Sequence, residues 1–217
     1  MSVAKNLTRV QDEIGNTKLV CVTKTIESPR INEAIQAGAS IIGESRVQEY
    51  EEKKENILPC EEVHLIGHLQ RNKVKKAVQL FDVIQSVDSL KVLRKINKRA
   101  YDIDKIQRIY LQINIGDEPQ KHGFKLSSIN NLFPKIKSFN SVVVEGLMCI
   151  PPYLPPEKTR PYFSKMKKLY YDLSVNNQGN IELKELSMGM SNDYPIAIEE
   201  GATIVRIGSA IFGKREN

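Results

Sequence analysis

Lys24 ends the apolar run Leu19-Val20-Cys21-Val22-Thr23. A lysine at the exit of a buried strand is either an ordinary surface residue or an amine placed at a site. If burial strips the amine of water its pKa falls, and the neutral form can attack a carbonyl to form an imine. Strand ends usually meet water, so position alone favours the surface role. Two further segments bear on the choice. Ser187-Met188-Gly189-Met190-Ser191 sets two hydroxyls around a glycine-opened backbone, a pattern suited to phosphate oxygens. Arg206-Ile207-Gly208-Ser209 combines a cation, a glycine that lets a ligand approach the backbone, and a serine able to head a helix. Taken singly, each segment also reads as a turn with a helix cap or as a strand exit.

These residues need a frame that brings them together. Short apolar runs recur at 19–23, 40–43, 63–66, 83–86, 109–115, 142–149, 183–186 and 203–206, with helical segments between them. Leu7, Val10 and Ile14 fall at helical spacing ahead of the first run. Ser28 suits a helix N-cap, Pro29 the first helical position and Gly38 the stop. After the proline-rich stretch 151–156, Phe163, Met166, Tyr170 and Leu173 share one helical face. Strands alternating with helices imply parallel strands joined by right-handed crossovers. The pattern predicts an α/β protein: a (β/α)8 TIM-like barrel with an N-terminal helix, as a single domain over 1–217. A doubly wound sheet is the alternative. Active sites of barrels lie at the C-terminal rim, which would place Lys24, Glu44, Gly67, Met148, Ser187 and Arg206 there. The two glycine-containing segments follow the seventh and eighth strands, where barrel phosphate sites are frequent, and the eighth strand neighbours the first. A phosphorylated aldehyde spanning them could reach Lys24. Pyridoxal 5'-phosphate (PLP) fits, and so does a sugar phosphate handled by a Schiff-base aldolase or lyase.

Composition narrows the field. The 217 residues are 41% hydrophobic and 27% charged, enough for a sizeable soluble core, and no apolar stretch has the length of a membrane span. The amphipathic N-terminus does not resemble a secretion signal. Three cysteines, Cys21, Cys60 and Cys149, form no CxxC pair and suit reduced thiols in the cytoplasm. Scattered His and Cys offer no zinc cluster; His64 and His68 are four apart, but across a strand and turn. The formal charge of +6 is spread along helix faces, as in Lys91, Arg94, Lys95, Lys98 and Arg99, without interleaved aromatics. That argues against nucleic acid as a partner. No exposed heptad demands a dimer, so a monomer is expected.

The motifs, in order, resemble those of the pyridoxal phosphate homeostasis proteins, small PLP-binding barrels similar to the N-terminal domain of alanine racemases. They are Val22-Thr23-Lys24-Thr25, Gly43-Glu44-Ser45, His64 to Lys73 (HLIGHLQRNK), Gln112-Ile113-Asn114-Ile115, Gly146-Leu147-Met148, Ser187 to Ser191 and Val205 to Gly213. The resemblance implies PLP held as an internal aldimine on Lys24. It implies phosphate contacts from Ser187, Gly208 and Ser209, with Met190 in the same segment, and Arg206 facing the pyridine nitrogen. An arginine there disfavours a ring proton and restrains carbanion chemistry. Ser45 stands where the family commonly has asparagine. Lys121 matches a family loop and is a candidate rim amine on the path of PLP. Racemases take a second acid/base group, a tyrosine, from a further β domain, for which a chain ending at Asn217 leaves no room. The expectation is a PLP carrier without robust catalysis, which serves PLP-dependent apoenzymes.

Overall fold

A computed structural model describes residues 2–175 and 177–213, so the expected span of 1–217 extends past the described residues at 1, 176 and 214–217. Eight parallel strands close a barrel in sequence order, with the last pairing back onto the first. They are β1 Lys18–Val22, β2 Ile41–Glu44, β3 Glu62–Leu65, β4 Val83–Val87, β5 Gln107–Ile113, β6 Val142–Cys149, β7 Ile181–Met190 and β8 Ile204–Ile207. The helices are α1 Val3–Ile14, α2 Ser28–Gln36, α3 Val47–Lys53, α4 Val74–Leu80, α5 Leu90–Tyr101, α6 Ile129–Ile136, α7 Arg160–Ser174, α8 Tyr194–Glu199 and α9 Ser209–Phe212. The expected barrel and its N-terminal helix are therefore both present.

Local chemistry explains the outer ring. Ser2 caps α1 by accepting from the Lys5 N–H (3.3 Å), and Ser89 caps α5 by accepting from Val92 (3.4 Å). Ser28 proves to be the first residue of α2 and not its cap, with Glu27 in the cap position and Pro29 inside the first turn. On α7, Phe163, Met166 and Leu173 are buried against the strands, as their spacing predicts. Burying each such side chain contributes about 1.5–3 kcal/mol.

Inside the barrel, side chains at alternate positions along the strands point to the axis and fill it, as the period of two requires. Val20, Ile41, Val83, Tyr110, Met148 and Ile204 form the apolar plug. Below it, near the strand beginnings, Lys18 pairs with Glu185 (2.5 Å), and Arg108 bridges Glu62 (2.8 Å) and Glu145 (2.7 Å). The His64 hydrogen bond, with help from Arg108, holds the Glu62 carboxyl down at about 2.

β7 ends later than the sequence suggests. It continues through Met190, so the Ser187–Ser191 segment is mostly strand and not a turn. Gly189 makes this possible. Its φ is +91°, the register against β8 shifts between Ser187 and Met190, and a Cβ would lie 2.6 Å from that of Ala197. Ser187 is consequently fully buried in the barrel, and so is Met148 on β6. Neither is a rim residue. On β7 the rim falls at Met190 and Ser191.

Candidate functional site at the C-terminal rim

A cleft of about 470 Å³ opens at the C-terminal ends of the strands. Lys24, Ser45, Met190, Arg206, Gly208 and Ser209 all line it. Lys121 lines it too, and so do Ser191, Asn192 and Asp193 beyond β7. Val22, Ile66 and Ile150, with the loop Pro151, Pro152, Tyr153 and Leu154, supply apolar walls. Ser187 does not line it. Its side chain points into the barrel, because an inward position on β7 faces the axis.

Lys24 sits in a turn two residues past the end of β1 and is half-buried. Thr25 follows with φ +62°, a conformation that costs a β-branched residue energy and persists only when neighbours hold it. The holding groups come from α3. Lys53 Nζ donates to the carbonyls of Thr23 (2.9 Å) and Ile26 (3.4 Å), and Glu49 accepts from the Thr25 N–H (2.5 Å). Underneath, Glu44 is fully buried; it accepts from the Thr23 hydroxyl (2.5 Å) and pairs with Lys53 (2.7 Å). Burial raises the Glu44 pKa, against the pull of Lys53 and Thr23. Glu49 and Lys53, four apart on α3, also pair with each other (2.9 Å), and nothing in their spacing points to the turn they brace.

Arg206 is buried in the cleft floor on β8. It donates to Ser187 Oγ (2.7 Å) and to the Cys149 carbonyl (2.9 Å). Desolvation lowers its pKa, yet a guanidinium stays cationic near neutrality. Ser187 donates in turn to Gln85 Oε1 (2.7 Å), Gln85 Nε2 donates to His64 Nδ1 (2.7 Å), and His64 Nε2 donates to Glu62 (2.6 Å). A continuous polar column thus fixes Arg206 from below, and Ser187 is one of its links.

The rim at β7 and β8 is knitted by hydroxyls. Ser191 Oγ accepts from the N–H groups of Gly208 (3.3 Å) and Ala210 (3.4 Å), and Asp193 accepts from Met190 N–H (2.7 Å). A Cβ on Gly208 would lie 3.2 Å from both the Cβ and the carbonyl oxygen of Val22, so β1 and β8 approach closely here. Ser191, the second hydroxyl of the segment expected to hold phosphate, does line the cleft, whereas Asn192 and Asp193 were not among the expected site residues.

Gly67, just past β3, has a sharper constraint. A Cβ would fall 2.2 Å from the Ser45 carbonyl oxygen and 2.7 Å from its Cα, which only a backbone shift relieves. Gly67→Ala is expected to destabilise the fold by about 1–3 kcal/mol and displace Ser45 from the cleft edge. A denaturation midpoint equal to that of the wild type would refute this packing.

Residues 1–216 match the family described as alanine racemase, N-terminal domain. A pyridoxal phosphate homeostasis protein of Aquifex aeolicus is 38% identical over 229 aligned positions, covering all of both chains. One from Synechocystis is 36% identical over 203 positions, covering 92% of each. The solved structure of PipY from Synechococcus elongatus with PLP bound superposes with a TM-score of 0.90 at 33% identity, covering 98% of this chain and 100% of that one. An alanine racemase from Streptomyces lavendulae shares the fold, with a TM-score of 0.79 at 17% identity, and this chain corresponds to 57% of it. This chain belongs to the alanine racemase N-terminal domain family and, within it, to the pyridoxal phosphate homeostasis proteins.

Proposed function

We propose that this chain binds PLP in the rim cleft, holds it covalently but reversibly through Lys24, and regulates the supply of free cofactor without robust catalysis of its own. The observation that carries this is the convergence, in one cleft of about 470 Å³, of an amine, a buried fixed cation and a hydroxyl-rich rim. The volume lies within the usual range of cofactor pockets. The donor set fits the group: Lys24 can take an aldehyde, and Ser191, Gly208 and Ser209 with Met190 offer the close, hydroxyl-lined edge that a phosphate requires. Ser45 closes the side nearest Gly67. Ser187 acts one layer below, by holding Arg206. The bound PLP of PipY supports the assignment.

When bound, PLP supplies an aldehyde carbon that amines capture reversibly and a ring that can withdraw electrons. The chain's own groups favour holding over turnover. Arg206 is tied to Ser187 and Cys149 and has no proton to trade. Asp193 is engaged by Met190, and Lys121 by Glu118 (2.7 Å) and the Pro151 carbonyl (2.9 Å). Tyr153 stands almost fully exposed on the proline loop. Among the described cleft residues no second acid/base group is fixed opposite Lys24, which supports a carrier and not a racemase. By taking up and releasing PLP the chain keeps the reactive aldehyde scarce and available to PLP-dependent apoenzymes.

The closed barrel, whose last strand pairs back onto the first, supports a single functional domain over 1–217, and we propose that it acts as a monomer. Cys21 and Cys149 are free and buried, their thiols pushed up to about 12 by desolvation, which favours a cytoplasmic, reducing setting. Among the described residues no helix is long and apolar enough to cross a membrane. The experiment is turnover: the PLP-loaded protein is mixed with L-alanine and other amino acids, and the products are followed by chiral chromatography. Stoichiometric exchange without sustained conversion is expected. Rapid multiple turnover that Lys24→Ala abolishes would overturn the carrier role in favour of an enzyme.

A further inference from the structure

Beside the cleft lies a second hollow, lined by His68, Asp88, Lys121 and His122 among others. Its ligating side chains come from the C-terminal ends of three successive strands. His68 follows β3, Asp88 directly follows β4, and His122 lies in the loop after β5. The two imidazoles stack, with ring centres 3.6 Å apart and planes 11° from parallel. Both direct Nδ1 at the same oxygen: Asp88 Oδ2 is 2.9 Å from His68 Nδ1 and 3.5 Å from His122 Nδ1. The Asp88 side chain is only 8% exposed, while those of the histidines are 39% and 56% exposed.

We infer that His68, Asp88 and His122 form a binding site for a divalent transition-metal ion of the zinc class. Two imidazoles and one carboxylate are a donor set for zinc and its neighbours and a poor one for magnesium or calcium, which take oxygen ligands. Ligand atoms around a tetrahedral zinc lie about 3.3 Å apart, given bonds of about 2.0–2.1 Å, and the two nitrogen–oxygen separations bracket that value. All three ligand atoms fall within 4.8 Å of one another. Small rotations of exposed rings would open the stack around an ion, which would take the place of the His68 N–H now donated to Asp88 and bind each ring through an unprotonated nitrogen. The nearly buried carboxylate supplies the compensating charge, and the open hollow leaves the fourth position to water.

The backbone around the ligands is already fixed. Gln112 Nε2 donates to the His122 carbonyl (3.0 Å), and the Ser86 hydroxyl donates to the Gly67 carbonyl (2.6 Å), next to His68. Asn114 Nδ2 fastens the same loop through the carbonyls of Glu118 (2.8 Å) and Lys121 (3.3 Å). An ion held by His122 would therefore pin the loop that places Lys121 at the edge of the main cleft. Sequence spacing hides the site because its ligands are 20 and 34 residues apart and meet only when the barrel closes.

The test uses untagged protein stripped of metal and cofactor, titrated with zinc ion by calorimetry. One ion per chain is expected. His68→Ala and His122→Ala should each weaken binding by about tenfold or more, a loss at least as large as outer-shell changes produce. Asp88→Asn should do the same. The exposed histidine variants keep the test decisive if the Asp88 variant folds poorly, with unchanged thermal midpoints of the metal-free variants as the check. No stoichiometric uptake by the wild type, or uptake unaltered in both histidine variants, would overturn the site. Because no cofactor is present, neither outcome depends on how PLP is bound.

Discussion

Lys24→Ala is expected to abolish borohydride-fixed attachment of PLP altogether. Lys24 is the amine that the β1–α2 turn presents to the cleft. Arg206 bonds Ser187 and Cys149, and Lys121 bonds Glu118 and Pro151. The variant keeps the edge formed by Ser191, Gly208 and Ser209, so weak, phosphate-dependent binding should persist. Affinity should fall by about a hundredfold, or about 2.7 kcal/mol. Intact-mass measurement after reduction checks the first part, and equilibrium dialysis the second. Ser209→Ala is the contrasting case: it should weaken binding yet leave the reducible attachment in place. Retention of a reducible adduct by Lys24→Ala would move the covalent site elsewhere.

Lys53→Met should cost about 3–5 kcal/mol of stability, because it strands a fully buried carboxylate. Glu44 would keep the Thr23 hydroxyl as a partner and lose its counter-charge. The turn carrying Lys24 would also lose the ammonium that ties the Thr23 and Ile26 carbonyls together, so PLP binding should weaken as well. The double variant Glu44→Gln/Lys53→Met should recover much of the stability, since the two residues share one interaction. The pH dependence follows from the raised pKa of Glu44. Folded protein holds the Glu44 proton to higher pH than unfolded chain, so this residue's contribution favours folding at acidic pH and declines as pH rises above the usual glutamate range. Without Lys53 the pKa should climb further and the decline steepen. Urea denaturation of Lys53→Met from acidic to neutral pH should therefore show a deficit that grows with pH. A constant deficit would mean that Glu44 is not the source.

The strand runs were legible because parallel strands buried on both faces are rich in β-branched residues. The exit of β7 was not. Gly189 looks like a loop opener, but here its positive φ bends a strand that continues, and that shift exchanges Ser187 for Ser191 at the cleft. Lys24, Ser45, Met190, Arg206, Gly208 and Ser209 do share one cleft. What escaped were relations between elements. Lys53 reaches back 30 residues to the Lys24 turn, and Gln85 joins Ser187 across 102. Such contacts depend on barrel closure and leave no periodic trace in the chain.

Lys24 is proposed to be a reversible covalent tether for PLP. The most direct measurement is peptide mapping by mass spectrometry of the wild-type protein, loaded with PLP and reduced with borohydride, alongside a sample exposed to excess competing amine before reduction. One pyridoxyl group on Lys24 in the first sample, and its loss in the second, is the predicted result. A label on Lys121 or scattered over surface lysines, with Lys24 unmodified, would contradict the account.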